Sequence, residues 1–351
     1  MKILHVVPTA GWAGSERIAF SFAAYQSLHH RVAVVVKNGP GFSDLFYRNK
    51  LPSNVQIIAI DQNLKSQQEI NAFVRKSLEF VPDIVHAHLS LGCRIAKSLK
   101  TSSNVLIGHM HVRFFALQFK EMDAVVAVSP WQMEDIPAWY QGGKKLVRNF
   151  VADRKGCKGV DIGRFKRRFY IDASAYVIGT VGRLHIEKGI DTLIKAFMKA
   201  NIKQSRLLII GDGPAAEKLR SLAGGHPDII FTGFLDNASD YMSAFDLYVS
   251  PSRADSFGLA VLEALAQDVP VLASATYGSR DMLGNSDRIF EIDNHNELAC
   301  KLKMASSSKL KNPVPVGEFD EQLSNQSLLD FYEKLLSARM GVVSETCQLT
   351  A

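Results

Sequence analysis

Runs such as KILHVVP, RVAVVVK and VQIIAI are apolar at nearly every position, and similar runs recur along the whole chain. A half-exposed strand alternates apolar and polar residues, whereas a strand that is apolar throughout must be covered on both faces. Helical crossovers provide that cover, so the pattern predicts parallel sheets with helices on either side. DIVHAH, NVLIGH and AVVAVS continue the series, with SERIAFSFAAYQSL and QEINAFVRKSLEF as helices between strands. The pattern breaks at residues 150–172, where glycine and basic residues crowd together. It restarts with YVIGTVGR, RLLIIGDG, DIIFTGF, LYVSPS, VPVLAS and RIFEI as strands, and GIDTLIKAF, AAEKLRSLA, FGLAVLEALA and NELACKLKM as helices. The expected fold class is therefore α/β: two tandem doubly wound Rossmann-like domains facing a cleft. Residues 1–165 form the first, 170–320 the second, and 321–345 a helix that packs back on the first. A length of 351 residues suits two domains.

Hydrophobic content of 47% and charged content of 22% describe a soluble globular chain. No apolar run approaches the ~20 residues that span a bilayer. The start, MKILHVVPTAGWAGSE, reads as a first strand rather than a signal peptide, so a cytoplasmic location is expected. Cys93, Cys157, Cys300 and Cys347 lie far apart without metal-ligand spacing, and neither a metal nor a cofactor is expected. From Lys144 to Arg168 ten Lys/Arg face Asp153 and Asp161, a local charge of +8. Such a stretch is a solvated linker or a contact for anionic headgroups on the inner face of a membrane. No recognition helix or zinc-finger spacing accompanies it, so nucleic acid is not expected as a partner.

Chemistry concentrates in the second half. In SPSRADSFGLAVLEALA a strand leads through a polar loop into a helix expected to start near Phe257. The backbone amides of Ser256, Phe257, Gly258 and Leu259 then lie at a helix N-terminus, which favours phosphate. Glu263 stands alone in an apolar helix, where a carboxylate needs a polar partner. A ribose bound through both hydroxyls meets that need, and a salt bridge is the competing account. Asp255, ahead of the helix, holds hydroxyls at the other end of the ligand or caps the helix. In VGRLHIEKG, Arg183 and Lys188 are two cations at the mouth of a sheet, able to neutralise a diphosphate. The sequence contains no Asp-x-Asp pair, which agrees with metal-independent chemistry. Gly211-x-Gly213-x-x-Ala216 matches one form of the dinucleotide fingerprint, with Asp236 further on. An NAD-dependent oxidoreductase is thus an alternative, and a non-catalytic nucleotide-sugar binder another.

Taken together, SPSRADSFGLAVLEALAQDVPVLAS, VGRLHIEKG, IIGDGP and FTGF resemble the retaining GT-B glycosyltransferases of family four. GWAGSERIA near the start is similar more loosely. The resemblance implies a retaining, metal-independent hexosyltransferase that uses a UDP- or GDP-sugar donor. It implies Arg183 and Lys188 on the diphosphate, Glu263 on the ribose and Asp255 on the transferred sugar. Ser256, Phe257, Gly258 and Leu259 would line the donor, and Gly14 would approach its phosphates. His109 and His111 share a face if their strand is regular; the resemblance implies one catalytic histidine there, and His111 fits the strand end better. His86 and His88 read as structural. Two positions depart from the family pattern: Asp255 replaces the usual Glu, and YGSRDM replaces Gly-Gly-x-Pro-Glu, with Asp281 loosely equivalent to its Glu. The implied acceptor is a glycan or glycolipid, such as a lipopolysaccharide core or another cell-surface polysaccharide.

Overall fold

The computed structural model describes the chain except for residues 10–11, 40–41, 61–66, 152–160, 237, 285, 308–316 and 349–351, and the side chains of 67–68, 70–72 and 340–348. It divides into two compact units, Met1–Phe150 with Glu321–Ala351, and Val151–Asp320. Each is a parallel sheet with helical crossovers, as the uninterrupted apolar runs require.

The first unit holds seven strands: β1 (Lys2–Val7), β2 (Arg31–Lys37), β3 (Gln56–Ile60), β4 (Ile84–His88), β5 (Val105–Met110), β6 (Ala124–Ala127) and β7 (Gly143–Leu146), in the order β3-β2-β1-β4-β5-β6-β7. Strand side chains alternate between faces. Leu4, Val6, Val85, Ala87 and Leu106 build the core on one face. His5, His86, His88 and His109 occupy the other, with His5 paired in register to His86 and His88 to His109. The helix Glu321–Gln348 belongs to this unit. Its Arg339 Nε donates to the Ser102 carbonyl at 2.9 Å, and its Tyr332 hydroxyl meets His86 Nδ1. Strand β7 is a departure from the sequence reading. GKKL carries no β-branched residue, and it is tolerated because β7 is an edge strand, mostly half-buried.

The second unit holds β8 (Tyr176–Val181), β9 (Ser205–Ile210), β10 (Ile229–Gly233), β11 (Leu247–Ser250), β12 (Val271–Ser274) and β13 (Ile289–Phe290), in the order β10-β9-β8-β11-β12-β13. Ile178, Leu207, Ile209, Val249 and Leu272 pack against Leu193, Phe197 and Leu298 of the covering helices. The order reverses between β8 and β11, and doubly wound sheets bind ligands beyond the strand ends at such a reversal. This unit begins before the expected residue 170. Ile162–Arg168 is a helix within the basic stretch, its first turn fixed by Asp161, which accepts from Arg164 N at 2.8 Å. Phe165 is buried and packs on Tyr241 at 4.5 Å between ring centroids, which ties the helix to the second unit. The central part of the basic stretch, with Arg154, Lys155 and Lys158, lies outside the described residues.

Candidate functional site

A pocket opens at the β8/β11 reversal, lined among others by Thr180, Gly182, Lys188, Tyr248, Ser252 and Asp255. Its floor comes from the ends of two strands whose apolar sequence holds them side by side, while its polar rim comes from the loops that follow. Lys188 closes a single 3-10 turn, Ile186–Lys188. Gly189 follows with φ +59, its α-carbon against the Pro251 carbonyl, so a side chain there would collide with β11's exit loop. That close approach delivers Lys188 Nζ to Asp255 Oδ2 at 3.0 Å.

The other Asp255 oxygen accepts from Gly258 N at 2.8 Å and from Phe257 N at 3.4 Å. Asp255 therefore acts as the helix-entry cap and as the partner of Lys188 at once. Two of the amides expected to face phosphate are engaged by this carboxylate in the structure. The helix itself runs Leu259–Ala266 and starts slightly later than expected, because Gly258 takes φ +86 and forms the turn. Ser256 and Leu259 are half-buried beside it. Glu263 is only 6% exposed. Its charge and that of Asp255 add to burial in pushing the Tyr248 phenol far above its usual range. The pocket lining thus carries the Asp255 carboxylate, the Lys188 ammonium and a neutral Tyr248, while Glu263 is buried in the adjoining helix and does not line it.

Arg183 follows β8 on the same loop as Lys188 but is exposed and does not line the pocket. The sequence reading missed a different arginine, Arg253. Its guanidinium forms a two-pronged pair with Asp191, at 2.9 and 2.8 Å, and reaches Asp293 at 2.7 Å. Its backbone N–H donates to the Glu187 carbonyl at 2.7 Å. Arg253 thereby clamps the turn that carries Lys188 to the loop that carries Asp255. Gly278 is a second omission. It packs against the Phe257 backbone so closely that a methyl group would overlap it. The YGSRDM segment opens the helix Tyr277–Leu283, capped by Thr276, and it buttresses the 255–258 loop, Gly278 N donating to the Asp255 carbonyl at 3.2 Å.

Gly211 and Gly213 have a structural explanation. Side chains at these positions would run into the backbone carbonyls of Gly182 and Leu184. Ala215 N donates to the Leu184 carbonyl at 2.9 Å. The fingerprint glycines thus let two loops of the protein pack backbone to backbone.

In the first unit His111 lies just past β5 and is half-buried, whereas His109 is 1% exposed. Their rings stack at 4.6 Å between centroids, so they share a face as expected. Burial lowers His111 to a pKa of about 4 and His109 well below the usual range. Gly14 opens the helix Gly14–Gln26. Nearby Glu16, which the sequence reading did not single out, is buried and accepts from Thr9 Oγ1 at 2.7 Å, Ser15 Oγ at 2.9 Å and Ala13 N at 3.1 Å. Burial pushes the Cys93 thiol up to about 12, which keeps it protonated and unreactive. Cys157 lies outside the described residues.

Two doubly wound parallel-sheet units in tandem define the GT-B glycosyltransferase fold. Residues 175–307 match the family "Glycosyl transferases group 1". The chain is 34% identical over 138 residues to the sulfoquinovosyl transferase SQD2 of Arabidopsis thaliana, covering 36% of this chain and 26% of that protein. It is 28% identical over 240 residues to the lipopolysaccharide core biosynthesis glycosyltransferase LpsE of Rhizobium meliloti, covering 63% and 66%. The chain therefore spans less than two thirds of either relative. Among solved structures, Anabaena Alr3699/HepE in complex with UDP and glucose superimposes with a TM-score of 0.81 at 19% identity, covering 95% of this chain and all of that one.

Proposed function

We propose that the protein is a retaining, metal-independent hexosyltransferase that takes its sugar from a UDP- or GDP-sugar. The observation that carries this reading is the pocket at the strand reversal, with Lys188 and Asp255 at its rim and Glu263 buried in the adjoining helix. In this reading the donor diphosphate displaces Asp255 from Lys188 and takes the ammonium, with Arg183 as a second cation on the same loop. Asp255 then turns to the transferred sugar's hydroxyls, which releases the amides of Phe257 and Gly258 for the ligand. Glu263 accepts from the ribose hydroxyls, with Ser256 and Leu259 alongside. Gly14 and His111 are the first unit's contributions, Gly14 toward the phosphates and His111 toward the transferred sugar.

The reaction breaks the anomeric C–O bond, leaving a cation-like sugar and a diphosphate that gains negative charge. Cations held in place before the bond breaks stabilise that charge without reorganisation. Attack by the acceptor hydroxyl on the same face forms the new C–O bond with retention, and the leaving phosphate oxygen takes the hydroxyl proton. Lys188 does the work otherwise assigned to a divalent ion. The backbone packing of Gly211 and Gly213 favours this reading over hydride transfer. UDP and glucose in the Anabaena structure recommend a uridine donor as the first to test.

The acceptor in this reading is a glycan or glycolipid, and the protein acts at the cytoplasmic face of a membrane through the basic stretch that includes Lys144, Lys145, Arg148, Arg164 and Arg167. No helix among the described residues is long and apolar enough to cross a membrane. Thermal shift against UDP-, GDP- and ADP-sugars and NAD(H) tests the donor assignment. Stabilisation by one sugar nucleotide, lost in Glu263→Gln, is the expected result; stabilisation by NAD(H) alone refutes it. Binding without release of free nucleotide in the presence of any glycan or lipid acceptor marks a non-catalytic binder. Flotation with anionic vesicles tests the membrane step.

A further inference from the structure

Five histidines gather on one face of the first sheet, and two sets of hydrogen bonds run through them. His5 Nε2 meets Gln26 Oε1 at 2.9 Å, His5 Nδ1 meets His88 Nε2 at 3.2 Å, and His88 Nδ1 meets His111 Nε2 at 3.1 Å. Separately, the Tyr332 hydroxyl meets His86 Nδ1, and His86 Nε2 meets His109 Nδ1 at 3.1 Å. We propose that Gln26, His5 and His88 are positioning residues that hold His111 as the tautomer protonated on Nε2, leaving its Nδ1 lone pair to accept a hydrogen bond from a substrate hydroxyl. The inference rests on the reading of His111 given above.

The argument is one of counting protons. An amide oxygen only accepts, so His5 Nε2 carries the hydrogen. A neutral imidazole has one N–H, and burial keeps these rings neutral: His5 is lowered to about 4 and His88 well below its usual range. His5 Nδ1 is then a bare acceptor, which requires the hydrogen on His88 Nε2. His88 Nδ1 is bare in turn, and His111 must donate from Nε2. Each link fixes the next, and the choice made at Gln26 arrives at His111 unchanged. Stacking holds the rings in plane, with His86 on His88 at 4.5 Å and His109 on His111 at 4.6 Å between centroids. A metal ion is the competing occupant, since ligand nitrogens of His5, His86 and His88 lie within 4.8 Å of one another. The two proposals exclude each other. A metal needs three lone pairs aimed at one point, whereas both nitrogens of His5 and of His88 are already committed within the chain.

The test uses the full chain labelled with ¹⁵N-histidine. Long-range ¹H–¹⁵N correlation at neutral pH should show His111 protonated on Nε2 and bare on Nδ1. Gln26→Met removes the acceptor that orients the chain, and should mix the His111 tautomers and lower kcat roughly tenfold with the donor KM unchanged. A His111 protonated on Nδ1 in the unaltered protein, an unchanged tautomer in Gln26→Met, or stoichiometric zinc or another transition metal by elemental analysis overturns the proposal. The spectrum needs no substrate, so absence of transfer activity would refute the reading of His111's role while leaving the tautomer chain to be judged separately.

Discussion

Lowering the pH from 7.5 to 5 should strip at least about 2 kcal/mol of stability from the first unit while its fold at neutral pH is unaffected. His5 is 0% exposed and its pKa falls from 6.5 to about 4 on folding. Between those values the unfolded chain binds a proton that the folded chain refuses. The stabilisation is therefore complete above pH 6.5 and is lost as the pH falls toward 4. At pH 5 the unfolded imidazole is almost fully charged, and His5 alone costs about 2 kcal/mol relative to pH 7.5. Burial also lowers His86, His88 and His109 well below the usual range, so they act in the same direction. All three tryptophans, Trp12, Trp131 and Trp139, lie in this unit, so tryptophan fluorescence during urea unfolding reports on it specifically. With an m-value of about 2 kcal/mol/M, the share of His5 by itself moves the midpoint by about 1 M. A midpoint that stays level or rises between pH 7.5 and 5 would show that the histidine face is hydrated or already charged, and the reasoning would fail.

Other perturbations address the second unit. Lys188→Ala removes the cation proposed for the diphosphate and should lower kcat/KM by about 10²–10³ in a coupled nucleotide-release assay. Its far-UV circular dichroism should match that of the parent. Arg253→Lys loses the two-pronged grip on Asp191 and should raise the donor KM several-fold, because the Lys188 turn and the Asp255 loop are no longer clamped together. An unchanged KM would make Arg253 a surface ion pair only. Gly278→Ala forces the Phe257 backbone to move and should cost both activity and melting temperature, whereas Gly317→Ala, with open space around it, should change neither.

The sheet architecture was legible because apolar runs and amphipathic helices are local patterns. KILHVVP and RLLIIGDG announce their burial without reference to anything distant. Loops whose glycines meet backbone, such as Gly189 and Gly213, were legible as motifs, but their cause was not. The edge strand Gly143–Leu146 and the helix Ile162–Arg168 escaped because their basic residues mask the apolar signal, and only tertiary neighbours such as Tyr241 make them stable. The candidate site divides the same way. Glu263 stood out as an acid in an apolar helix, a contrast written into eight consecutive residues. Its surroundings were decided by topology. Lys188 and Asp255 are 67 positions apart and meet because β8 and β11 are neighbours at the reversal. The histidines come from three strands and are paired by register, while Gln26 and Tyr332 reach them from helices near opposite ends of the chain. Periodicity specifies which face of an element is buried; which buried or polar groups then share an atom-to-atom contact depends on how the chain returns to itself, and that is a property of the folded structure.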